Sequence, residues 1–101
     1  MFRAAFIFIA PKTSPVTHCS WVKTPEVEVK TLAVKNYQEA CEQVELLIEE
    51  GISAIELCAG FGHQGVALVT TAAQGKANIG VVRFDPHPCL GNTSGDSLFA
   101  S

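Results

Sequence analysis

Charged residues are scarce in this sequence. Asp, Glu, Lys and Arg make up 17% of the 101 residues, where about 25% is usual for a globular domain. Hydrophobic residues make up 48%, and the length predicts a single domain over residues 1–101 with one core. So few charges on so small a body leave apolar surface that needs covering. We therefore expect a homodimer or a larger assembly.

Clustered basic residues and long hydrophobic runs are also missing. The seven Lys and Arg residues are scattered singly, and the net charge is −3. A nucleic-acid-binding protein needs a clustered basic face to contact phosphates, so nucleic acid is not expected as a partner. No apolar run approaches the ~20 residues that cross a membrane, and the short run after Arg3 lacks a convincing signal-peptide cleavage site. These features predict a soluble, cytoplasmic protein that does not bind membranes.

The cysteines lack the close spacing of a redox motif. Cys19, Cys41, Cys58 and Cys89 contain no C-x-x-C pair and are spread over predicted strands, helix and loops. In a chain with a strong hydrophobic pattern, this distribution favours free or buried thiols over a disulfide framework.

What the sequence does contain is an alternation of strand and helix patterns. Apolar runs and alternating patterns predict strands at 4–10, 27–34, 52–58 and 79–84. Residues 36–50 carry an apolar stripe at helical spacing, with Asn36 as the cap, Glu39 three residues on and Gly51 at the end. A second helix of small residues is predicted at 64–74.

Four segments carry more specific expectations. The strand at 4–10 is continuously apolar, which predicts burial on both faces, whereas the strand at 27–34 alternates and is expected near a sheet edge. Residues 11–26 contain three prolines and are expected to be irregular, with at most a short helical turn around 16–23. Residues 85–101 are rich in turn formers and predict an irregular tail.

The order of these elements predicts an α/β fold. Alternating strands and helices favour a small, mainly parallel four-stranded sheet with two main helices, half of a flavodoxin-like fold with strand order 2-1-3-4. In that order both helices cover one face of the sheet, so the opposite face of the strand at 4–10 needs a second subunit. A ferredoxin-like α+β sandwich with a helix within 14–23 is the alternative.

The stretch LCAGFGHQGV, residues 57–66, contains the spacing G-x-G-x-x-G. It follows a predicted strand and opens a predicted helix, as a dinucleotide-binding turn does, but it follows the third strand rather than the first. Three interpretations stay open: a dinucleotide site, a site for a small or anionic ligand at the helix start, and a tight turn without a ligand. The candidate ligand-binding residues are Gly60, Phe61, Gly62, His63, Gln64, Gly65, Arg83 and Asp85.

Reactive side chains flank this loop. Glu56 stands in the middle of an apolar strand, where a carboxylate needs a partner. One interpretation is a structural ion pair between Glu56 and Arg83. The other is a small enzyme in which Glu56 is a general base, or Cys58 a nucleophile acidified at the helix start beside His63.

A metal site is a further hypothesis. Cys58, His63, His87 and Cys89 are residue types that bind zinc, although the spacings C-x4-H and H-x-C match no common zinc module. Ordinary loop histidines and thiols are the competing interpretation. The sequence identifies no cofactor.

Together, the segments MFRAAFIFIAP, VKNYQEA, GISAIELCAGFGHQGV and GVVRFD resemble a family of short bacterial and archaeal proteins that is filed as a domain of unknown function. The pattern IELC-x-GFG at 55–62 is the most distinctive part. The resemblance implies a self-contained small domain with the loop at 60–62 as its focus. Because the family has no assigned activity, the resemblance implies no catalytic residue.

Three functions follow as hypotheses. The first is a binding protein for a small, possibly anionic, ligand at the Gly60–Gly65 loop. The second is a small enzyme that uses Glu56, Cys58 or His63. The third is an interaction module that dimerises through its open sheet face.

Overall fold

A computed structural model describes residues 1–100, which form one five-stranded sheet and three α-helices. The strands are β1 (Phe2–Ile9), β2 (Cys19–Lys23), β3 (Val27–Val34), β4 (Ala54–Leu57) and β5 (Asn78–Val81). The helices are α1 (Tyr37–Glu49), α2 (His63–Ala73) and α3 (Asp96–Phe99). Within the described residues, no helix is both long and apolar enough to span a membrane.

The sheet has the order β2-β3-β1-β4-β5, and every neighbouring pair is parallel except β2 with β3. The predicted α/β fold with a mainly parallel sheet is therefore confirmed, and the four predicted strands keep the predicted relative order. The count of four strands is wrong, so the flavodoxin-like description holds only coarsely. The additional strand is β2, which pairs antiparallel with β3 where a helical turn was predicted. This pairing also removes the helix that a ferredoxin-like sandwich requires.

Helix α1 begins and ends where its sequence predicts. The Asn36 side chain accepts a hydrogen bond of 2.9 Å from the backbone N–H of Glu39. The Glu39 carboxylate in turn accepts from the N–H of Lys35, at 2.9 Å. Gly51 has φ of +86°, the left-handed conformation that stops a helix and that glycine adopts without strain. These short-range contacts explain why the boundaries of α1 follow from sequence.

Both long helices cover the same face of the sheet. Ile7 of β1, Leu32 of β3 and Leu57 of β4 are fully buried against this helical layer. From the helices, Val44 and Val69 complete the core. This arrangement follows the predicted strand order, since right-handed crossovers from β3 and β4 both place their helices on that face.

The opposite face of the sheet has no helix over it within residues 1–100, and we call it the open face. The strand register places one uncharged row across it, from Val22 through Val29, Ala4 and Ala54 to Asn78. A second row runs parallel to the first and contains Ser20, Thr31, Phe6, Glu56 and Gly80.

Of two predictions about individual strands, the burial of β1 differs from the structure of the single chain and the position of β3 is confirmed. Phe6 and Phe8 are only half-buried, so β1 is not buried on both faces within this chain. Strand β3 lies near an edge as predicted, since only β2 separates it from that edge of the sheet. The two charged residues of β3 are mostly buried on the helical side, because Glu28 forms an ion pair with Arg3 and Lys30 forms one with Glu50 at the end of α1.

Candidate functional site

The first turn of α2 is occupied by a carboxylate of the same chain. The backbone N–H of Gln64 donates to both carboxylate oxygens of Asp96, at 3.1 and 3.0 Å, and the N–H of Gly65 donates to Oδ1 at 3.3 Å. Asp96 is the first residue of α3, in the tail that was predicted to be irregular. The carboxylate therefore lies where the glycine motif predicts an anionic ligand, and any external anion there has to displace it.

Tyr37, the first residue of α1, connects this carboxylate to the glycine loop. Its hydroxyl donates to Oδ1 of Asp96 at 3.0 Å and accepts from the N–H of Gly62 at 2.9 Å. Its ring stacks on the buried ring of Phe61, with centroids 5.4 Å apart, and contacts the ring of Phe99 at 6.4 Å. The phenol thus holds the loop and the tail together from inside the domain.

These contacts shift the pKa values of both Tyr37 and Asp96. Burial raises the pKa of the Tyr37 phenol to about 12, and the adjacent Asp96 carboxylate acts in the same direction. Burial opposes ionisation of Asp96, but the hydrogen bonds described above outweigh it and hold the pKa of this carboxyl below its ordinary value. The pair is therefore a neutral phenol donating to an ionised carboxylate at neutral pH.

Close packing explains the glycine spacing without a nucleotide. A Cβ on Gly62 would meet the Asp96 carboxylate and lie 2.6 Å from Oγ of Ser94, and a Cβ on Gly65 would lie 2.6 Å from the Tyr37 ring. On the tail side, a Cβ on Gly95 would meet the carbonyl oxygen of Gly60. Gly62 and Gly95 thus let the tail segment, which we define as residues 94–99, pack against the glycine loop, whereas Gly65 leaves room for the Tyr37 ring.

A second cluster of polar side chains contains three of the predicted site residues, His63, Arg83 and Asp85. Arg83 donates to Nε2 of His63 at 3.0 Å and forms an ion pair of 3.5 Å with Oδ2 of Asp85. Asp85 has a side chain that is only 9% exposed, and it also accepts from Oγ of Ser94 at 3.1 Å. Ser94 then accepts from the N–H of Asp96. The carboxyl edge of the sheet therefore carries one continuous polar network.

The catalytic candidates do not form one site. Glu56 is exposed on the open face, so its predicted burial and its predicted ion pair with Arg83 are both wrong. The physical reason is strand alternation: Glu56 pairs in register with Gly80, and Arg83 follows Gly80 by an odd number of residues. Sγ of Cys58 accepts from the N–H groups of Ile9 and Gly60, at 3.4 and 3.3 Å. Within residues 1–100, no hydrogen bond or ion pair joins Glu56, Cys58 and His63.

The hypothetical zinc cluster is not assembled. In the described part of the chain, no three His, Cys, Asp or Glu side chains are arranged to hold a metal ion. Nδ1 of His87 instead accepts from the N–H of Cys89 at 3.0 Å and caps a short 3-10 turn at Pro88–Leu90. His63 lies on α2, where its ring contacts Arg83. His63 and His87 thus have separate hydrogen-bond partners.

Sequence reasoning missed Asp96 and Ser94, and it assigned Tyr37 only to the core stripe of α1. The SGDS stretch at 94–97 contains the residue types that cap helices. That signal indicates a cap, but it does not show that the capped helix lies 32 residues earlier in the chain.

Comparison with known proteins supplies a family. The model of a family of unknown function, DUF6506, matches residues 2–97. The chain belongs to DUF6506. The predicted resemblance to a family of unknown function is thereby confirmed, and the matched range includes the glycine loop and Asp96. Neither a curated protein nor a solved structure matches this chain.

The Tyr37 contact predicts an unusual alkaline titration. Tyr37 is the only tyrosine, so the absorbance of tyrosinate reports on it alone. We expect a midpoint at about 12 in the folded chain after a rapid pH jump, against ~10 for the chain unfolded in urea. Because the native state favours the protonated phenol, its stabilising effect is present below pH ~10 and is lost as the pH rises towards the folded value. Equal midpoints in both states would contradict the buried contact.

Proposed function

We propose that this chain is an assembly module that binds a second copy of itself through the open face. The observation that carries the proposal is the direction of the side chains on β3. Val27 and Val29 point to the open face, whereas Glu28 and Lys30 point to the helical side and form ion pairs there with Arg3 and Glu50. In the first half of β3, the apolar side chains are therefore the ones that face away from the helices, where Val27 and Val29 stay partly exposed.

The size of the open face supports this proposal. Five strands spaced ~4.8 Å apart and about six residues long span roughly 24 by 20 Å, or roughly 500 Å² in projection. Side-chain relief makes the accessible area larger, so the face approaches the ~800 Å² that each partner contributes to a standard interface. Within this face, Val22, Val29, Phe6 and Phe8 contribute apolar side chains, and exposed apolar patches on monomers mark interaction sites. A second copy supplies the same surface, as a two-fold dimer requires.

The other two hypotheses have weaker support. A small anion at the Gly60–Gly65 loop would compete with Asp96, which already accepts from Gln64 and Gly65. An enzyme that uses Glu56 and His63 together would need both at one place, and they lie on opposite sides of the sheet. We retain a cytoplasmic location as part of the proposal, supported by four free cysteines, which suit a reducing compartment.

The test is the oligomeric state of two matched variants. Val29→Glu places a charge in the open face, and Leu46→Glu places the same charge on α1, at a leucine that is 50% exposed. We expect the wild type and Leu46→Glu to sediment at about twice the 10.8 kDa of one chain. We expect Val29→Glu to dissociate at least ~100-fold more readily, because an uncompensated buried charge costs about 3 kcal/mol or more.

Circular dichroism of both variants serves as the control for folding. A monomeric wild type at millimolar concentration would contradict the proposal. Equal association of Val29→Glu and Leu46→Glu would contradict the assignment of the interface to the open face.

A further inference from the structure

We propose that self-association through the open face is coupled to protonation of Glu56, so that the dimer strengthens in acid and weakens as the pH rises. This inference rests on the proposed function and adds its regulation. It concerns one carboxylate in an otherwise uncharged surface.

Glu56 lies inside the open face rather than at its rim. It is the third of the four residues of β4, and in register it lies between Phe6 of β1 and Gly80 of β5. The same row continues to Thr31 and Ser20, which carry no charge. Within residues 1–100, Glu56 forms no ion pair and no side-chain hydrogen bond. A partner that covers Phe6 therefore also covers this carboxylate.

The titratable groups around Glu56 are few. The face-side residues of β1, β3 and β5 include no acid or base. The strand that carries Glu56 leads to the thiol of Cys58, which accepts hydrogen bonds from two backbone N–H groups. At the margin, His18 and Cys19 line a shallow depression beside Phe8 and Thr31. His18 is thus a basic side chain at the border of the open face.

Two-fold symmetry explains why a proton is required. In a two-fold dimer the same surface lies on both sides of the interface, so the partner offers only what this face contains. The strand residues that face this side include no Lys or Arg, and therefore a partner that presents the same strands brings none to Glu56. A desolvated carboxylate without a cation is disfavoured in its charged form, and taking up a proton removes that penalty. Association and proton uptake by Glu56 are then linked.

Linkage between protonation and association fixes the direction and the upper limit of the pH dependence of dimerisation. The dimer holds up to two more protons than two separate chains, so the dissociation constant rises with pH by at most ~100-fold per pH unit. We expect the wild-type dimer to be at least ~10-fold weaker at pH 8 than at pH 5.5. Replacement of Glu56 by a neutral amide of the same shape removes the titrating group without adding bulk.

The experiment is sedimentation equilibrium between pH 5.5 and 8.5 for the wild type, Glu56→Gln and Glu45→Gln. Glu45 is exposed on α1, so its replacement changes the net charge equally but leaves the open face intact. We expect the wild type and Glu45→Gln to weaken together as the pH rises. We expect Glu56→Gln to associate independently of pH and at least ~10-fold more tightly than the wild type at pH 8.

The outcomes separate this inference from the proposed function. If Glu56→Gln keeps the pH slope of the wild type, the dimer stands and the coupling to Glu56 is overturned. A wild-type dimer that tightens as the pH rises would also overturn it, since an ionised Glu56 would then be paired with a cation such as His18. Absence of association in all three proteins at every pH would overturn the proposed function itself.

Discussion

Replacing Gly95 with alanine is expected to detach the tail segment and to lower the free energy of unfolding by about 4 kcal/mol. The new methyl group would collide with the backbone carbonyl oxygen of Gly60, which cannot rotate away as a side chain can. When the segment moves out, Asp96 leaves the first turn of α2 and the Phe99 ring leaves Tyr37. The effect is therefore the loss of the whole docked segment rather than of one contact.

Urea unfolding measures this effect, and Gly80→Ala is the matched control. A Cβ on Gly80 would meet no atom within 4 Å of its own chain, so this variant is expected to unfold like the wild type at concentrations at which both are monomeric, since Gly80 lies on the open face. Near-equal stability of Gly95→Ala and Gly80→Ala would show that the tail segment does not dock tightly against the glycine loop.

Replacing Asp96 with alanine is expected to lower the free energy of unfolding by about 3 kcal/mol at pH 7. The variant leaves the N–H groups of Gln64 and Gly65 and the hydroxyl of Tyr37 without their acceptor. Loss of a hydrogen-bonded charged partner costs about 1.5–3 kcal/mol, and loss of a helix cap costs about 1 kcal/mol. Among the side chains of the tail segment, Asp96 is the one with the most polar partners.

The pH dependence of this effect has a definite sign. The pKa of Asp96 is lowered in the folded state, so its contribution is fully present above the unfolded value of ~3.9 and is lost as the pH falls through the folded value. The difference in stability between the wild type and Asp96→Ala should therefore shrink below pH ~4. Urea unfolding at pH 7 and at pH ~2.5 measures it, with Glu42→Gln as an exposed control. A difference that persists unchanged in acid would show that the carboxylate charge is not what stabilises the loop.

The assembly proposal and the tail segment concern different parts of the molecule. The tail segment docks at the start of α2, which lies on the helical side of the sheet, whereas Val29 and Glu56 lie on the open face. Variants at Gly95 and Asp96 are thus expected to change stability, and variants at Val29 and Glu56 to change association. A variant that changed both properties would indicate coupling between the two regions.

The elements that were predicted well depend on neighbours along the chain. Strand β3 has the predicted bounds, and α1 begins after Asn36 and ends before Gly51, because alternation, capping and left-handed glycine act within a few residues. Strand β2 was missed because the prolines around it resemble a loop, and its pairing with β3 is a tertiary contact. The direction of Glu56 was missed for a related reason, since an apolar strand pattern does not reveal which face the helices cover.

The sequence alone determined the α/β class, the relative order of four strands, both long helices and the position of the glycine loop, because these depend on periodicity and local turn chemistry. Only the tertiary structure decided what the loop contacts. Asp96 reaches Gln64 across 32 residues, and Tyr37 reaches Gly62 across 25. Contacts between residues so far apart in the sequence depend on the packing of the whole chain, and no local sequence pattern predicts them. The same holds for the open face, whose apolar residues are visible in the sequence but whose exposure follows from the way the helices pack.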